Sequence, residues 1–137
     1  MGAVLSLPVM DAPPRAPNVS DEMRGLINRL RFHATFCRAA AHLDLHAACA
    51  VVDPNAGEDA AARILIRVLR QALEREPVWY RPGSTQMSFD ELWLAQAIEA
   101  LIVNDLDSYT FLTHRRIAKD KRRFVHMLMK NLTKSLS

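Results

Sequence analysis

Apolar residues recur every three or four positions along the first folded stretch of the chain: Met23, Leu26, Ile27, Leu30, Ala34, Cys37 and Ala41 fall on one side of a helix. Ser20 stands at the N-cap position ahead of them, and Asp21 and Glu22 occupy the first turn, where carboxylates favour the positive end of the helix dipole. The pattern predicts a first helix over residues 21–51, closed by the turn chemistry of Asp53, Pro54, Asn55, Ala56 and Gly57. Phe32, Phe36, Ala39 and Leu43 give this helix a second apolar side. A helix apolar on two sides is either central in a bundle or shared with another chain, so a homodimer is in view.

A second helix is expected over 58–76, with Ile64, Leu65, Val68, Leu69, Ala72 and Leu73 inward and Arg63, Arg67, Arg70 and Glu74 outward, stopped by Pro77. The connection over 77–87 is the longest irregular stretch of the folded part. At Ser88 the run Ser-Phe-Asp-Glu reads as a capping box, in which Ser88 accepts from the amide three residues on and Glu91 reaches back. A third helix follows over 88–104 through Leu92, Trp93, Ala97, Leu101 and Ile102. Ser108 or Thr110 can cap a last helix that runs to about Leu132 without a Gly or Pro to interrupt it.

Four Pro residues at 8, 13, 14 and 17 remove backbone donors ahead of all this, so residues 1–19 read as a disordered tail. The predicted fold is all-α, an antiparallel bundle of four main helices forming one domain over 20–137. Composition agrees: 50% of the 137 residues are hydrophobic and only four are Gly, which favours helices around one core. The two cysteines, Cys37 and Cys49, would stand about 18 Å apart on the first helix and cannot pair there. A reducing, cytoplasmic setting is the expectation.

No apolar run approaches the roughly 20 residues of a membrane span. The stretch 1–10 lacks the basic start of an export signal, although Gly2 and Ser6 match a short acylation pattern.

Charge changes the picture most. From Ser108 onward eight basic residues stand against a single acid, Asp120, while the whole chain carries only +3, so the rest is net acidic. On a continuous helix Ile117, Phe124, Val125, Leu128 and Leu132 form one apolar stripe. Arg115, Arg116, Lys119, Arg122, Arg123, His126 and Lys130 cluster opposite, and Lys121 falls at the stripe. A solvated face usually mixes signs, whereas this one is almost purely cationic. Arg115, Arg116, Lys119, Arg122, Arg123 and Lys130 are therefore the candidate grip on an acidic protein or on nucleic-acid phosphates, the latter without a motif for reading sequence.

Other chemistry is weaker. Trp79, Tyr80 and Arg81 in the long connection either plug the bundle or touch a partner. His42, His46 and Cys49 share a line on the first helix with metal-ligand spacing, but Arg24, Asn28, Arg31, Thr35 and Arg38 on that same solvated edge oppose a cation. His33 one turn before Cys37 makes a thiol pair only in form, because Cys37 sits on the apolar side. With no phosphate loop and no carboxylate pair in a catalytic setting, neither an enzyme nor a cofactor is expected. The leading expectation is a small regulatory or adaptor protein that docks an acidic partner, followed by a nucleic-acid binder and then by a helical metal- or thiol-dependent protein.

Overall fold

A computed structural model describes residues 19–37, 57–134 and 136, and these form an all-helical structure. The Pro-rich tail, the predicted far half of the first helix and the line of His42, His46 and Cys49 lie outside the described residues. In chain order the elements are α1 (Asp21–Cys37), α2 (Glu58–Ala72), α3 (Phe89–Ile102), α4 (Leu106–His114), a 3-10 turn (Lys119–Lys121) and α5 (Arg122–Thr133). Among the described residues no helix is long and apolar enough to cross a membrane.

The core is where the apolar periodicity places it. Met23, Leu26, Ile27 and Leu30 of α1 and Leu65, Ile66, Val68 and Leu69 of α2 are buried, together with Val125, Leu128, Met129 and Leu132 of α5. α5 packs mainly on α2 and then on α3, α1 packs on α2 and α3, and α4 lies against α3. The central element is α3, whose Trp93, Leu94, Ala95, Ala97, Ile98, Ala100 and Leu101 are buried nearly all round. Phe32, which the sequence offered as part of a second apolar side of α1, is half exposed.

The capping box forms as expected. Ser88 accepts from the Glu91 amide at 3.0 Å while a Glu91 carboxylate oxygen accepts from the Ser88 amide at 3.0 Å. At the other end of α3, Asn104 adopts left-handed backbone at φ 60°. Its amide donates to the Leu101 carbonyl and that of Asp105 to the Ala100 carbonyl, a Schellman closure that satisfies the orphan carbonyls.

Two expected boundaries are corrected. Helix α2 ends at Ala72 rather than at Glu76, because Glu74, three residues before Pro77, turns left-handed (φ 60°) and its amide bonds back to the Gln71 carbonyl. The single last helix is two. Asp105, not Ser108 or Thr110, caps α4 by accepting from the Ser108 amide. At Ala118 the backbone becomes extended (φ −62°, ψ 147°) before α5 starts. No Gly or Pro marks the break, and tertiary demand makes it: Ile117 is driven into the core at 2% exposure, and Arg122 donates to the Ile117 and His114 carbonyls left free by the end of α4. Lys121, awkward on a continuous helix, ends up beside the break with its ammonium on Asp120.

Candidate docking surface

Beneath the long connection lies a charged junction. Arg31 of α1 is only 3% exposed, which corrects the expected solvated edge of that helix. Its guanidinium makes a two-pronged contact with Glu91, Nε to Oε2 and Nη2 to Oε1 both at 2.9 Å. It also donates to the carbonyls of Ser84 at 2.9 Å, Gln86 at 2.7 Å and Arg81 at 3.4 Å. Glu91 in turn accepts from the amides of Tyr80 and Ser88. A buried ion is tolerable only when its charge and its remaining hydrogen-bonding capacity are met, and here both are.

The junction therefore shapes residues 78–88 from outside. Gly83 holds φ 90°, and its amide bonds the Asn28 side chain. Trp79 packs partly buried against the core as a plug, while Tyr80 and Arg81 remain exposed.

A second junction sits one residue earlier on α3. Asp90 receives Arg75 through both oxygens at 2.7 and 2.9 Å, Arg116 at 2.6 Å and the Val78 amide at 2.8 Å. Arg75 above all, with the Val78 amide and Arg116, holds the Asp90 carboxyl well below the usual carboxylate range, so it stays ionised. Arg116 also lies over the rings of Phe89 and Trp93, 5.2 and 4.7 Å from their centroids. The Trp93 indole N–H donates to the Leu112 carbonyl and ties α3 to α4.

These contacts divide the candidate cations. Arg116 and Arg122 serve the fold, one on Asp90 and the other on the end of α4. His126, predicted on the outer face, is half-buried edge-on against Tyr109 at 5.1 Å; burial and then Lys130 push its imidazole below the ordinary range. Arg115, Lys119, Arg123 and Lys130 are exposed, and among the described residues none has a carboxylate within salt-bridge reach. Arg115 lies over Phe111 at 5.1 Å and Arg123 over Phe124 at 5.6 Å. Sequence reasoning missed Phe89 and Phe111, which are 73% and 60% exposed and stand beside Arg116 and Arg115 respectively. The signal was present in Phe111 four residues before Arg115, a spacing that puts both on one helix face.

His33 of the notional thiol pair instead faces Asp59, its Nε2 3.4 Å from a carboxylate oxygen. Among the described residues no group of three or more His, Cys, Asp or Glu side chains could hold a metal. No protein-family model matches the chain, and neither a curated protein nor a solved structure gives a significant match.

Proposed function

We propose that this protein is a small, non-enzymatic regulatory or adaptor protein that docks an acidic partner through the cations of α4 and α5. The observation that carries the reading is the division of labour among the basic residues. Arg116 and Arg122 are consumed inside the fold. Arg115, Lys119, Arg123 and Lys130 present four positive charges to solvent without an intramolecular counterion among the described residues.

Such charge repels itself, and an acidic surface removes that cost while providing bidentate contacts for Arg. Exposed Phe111 and the partly buried Phe124 hold two of the guanidiniums by stacking and reduce the side-chain entropy lost on binding. The non-enzymatic part is supported by the buried acids. Asp90 and Glu91 are occupied by guanidinium and amide donors and are not positioned to exchange protons with a substrate.

The test measures binding of the purified chain to a labelled poly-glutamate peptide and to generic duplex and single-stranded DNA and RNA, at low and moderate salt. The comparison protein carries R115S, K119S, R123S and K130S together. Arg116 and Arg122 are left intact because their loss would damage the fold. Peptide binding that falls at least ~tenfold in the variant is the expected result. Binding confined to nucleic acid, with a steep salt slope, would make phosphates the partner. No binding to any polyanion at low salt refutes the reading.

A further inference from the structure

The outward side of α4 carries its own complement. Leu106, Asp107, Thr110, Phe111, His114 and the capping residue Arg115 are exposed along it, while Tyr109 and Thr113 are buried beneath. Phe111 is 60% exposed at the middle of this side and Leu106 52% exposed at its edge, apolar surface that a lone helix face does not need. The charges are sorted by position, with Asp107 in the first turn and Arg115 at the end. Among the described residues neither has an ion-pair partner of its own.

Phe111 stands midway, four residues after Asp107 and four before Arg115, so the three share one face about 6 Å apart along the axis. We propose that this face is the contact between two copies of the chain, with α4 of one antiparallel to α4 of the other about a two-fold axis through Phe111. That arrangement sets each Asp107 opposite the Arg115 of the second copy and brings the two Phe111 rings together at the axis. A parallel arrangement would place acid on acid and base on base, which excludes it. Antiparallel helices also set opposite dipole ends side by side. The surface is isologous, so the contact closes at two copies.

Two helices of nine residues bury less than a standard interface. The dimer is accordingly weak, with a dissociation constant on the order of tens of micromolar. This inference goes beyond docking of an acidic partner: in the dimer Arg115 and Phe111 are taken by the second copy, Lys119, Arg123 and Lys130 stay free for such a partner, and self-association is read without one.

Sedimentation velocity of the full chain across about two decades of concentration around that value should show reversible dimerisation. Asp107→Arg and Arg115→Glu, each alone, should raise the dissociation constant at least ~tenfold, because each places like charges across the axis twice. Mixed in equal amounts, the two variants should associate, since the chain with two cations then meets the chain with two acids. Phe111→Ser should weaken association with unchanged helical circular dichroism. A chain monomeric at every concentration overturns the proposal. So does a dimer indifferent to both charge variants, or a pair of variants that stays monomeric when mixed.

Discussion

Arg31→Met tests whether the buried junction is a structural necessity. The methionine keeps most of the apolar volume but withdraws the guanidinium from both Glu91 oxygens and from the Ser84 and Gln86 carbonyls. Glu91 is fully buried at 0% exposure, so its carboxylate would face the interior with only the Tyr80 and Ser88 amides for company. Removing one partner of a buried pair costs about 3–5 kcal/mol, against a total stability of roughly 5–15 kcal/mol for a domain.

At about 4 °C per kcal/mol the melting temperature should fall by roughly 12–20 °C. Glu91→Leu alone should be similarly costly, because it strands a buried guanidinium and removes the capping box. The double variant lacks both charges and should recover about 2 kcal/mol relative to the sum of the singles, by urea unfolding followed with far-ultraviolet circular dichroism. A single variant costing less than about 1 kcal/mol, or strictly additive costs, would refute the reasoning.

Asp90→Asn should destabilise the chain at neutral pH by a margin that closes in acid. Arg75 and Arg116 lower the native proton affinity of Asp90, so its contribution is full above the unfolded value of about 4 and fades as pH falls toward the native value; urea midpoints of both proteins at pH about 7, 4 and 2.5 check this, and a constant gap would count against it. Glu74→Gly should stabilise by about 0.5–1 kcal/mol, because Glu74 is exposed and holds φ 60°, a conformation that costs a Cβ-bearing residue; a lowered melting temperature would contradict the strain.

Much of the fold was legible because it rests on local rules. The Ser88 to Glu91 capping box, the inward face of α2 and the end of the third helix near Asn104 are each set by residues within a few positions of one another. The break between α4 and α5 was not legible. It follows from the demands on Ile117, Arg116 and Arg122, whose partners include residues as far back as Asp90. Arg31 was misplaced for the same reason. By helical phase it belongs to a polar edge, and only the arrival of α3, sixty residues on, turns that edge into an interior.

The surface was legible in its sign but not in its distribution. Counting cations located the basic region correctly, yet counting does not separate Arg116, bound to Asp90, from Arg115, which faces solvent. The exposed Phe111 and Phe89 escaped because an apolar residue on a helix is ordinarily assigned to the core.

The Arg31 guanidinium holds residues 81–86 through main-chain carbonyl oxygens, not through their side chains. Every amino acid supplies the same carbonyl, so the path of this loop is nearly independent of what stands at Arg81, Thr85 or Gln86, with Gly83 the position that must keep its freedom at φ 90°. The loop is in effect a mould with an interchangeable surface. New contacts can be tried there by substitution, in nature or in the laboratory, without redrawing the backbone that presents them.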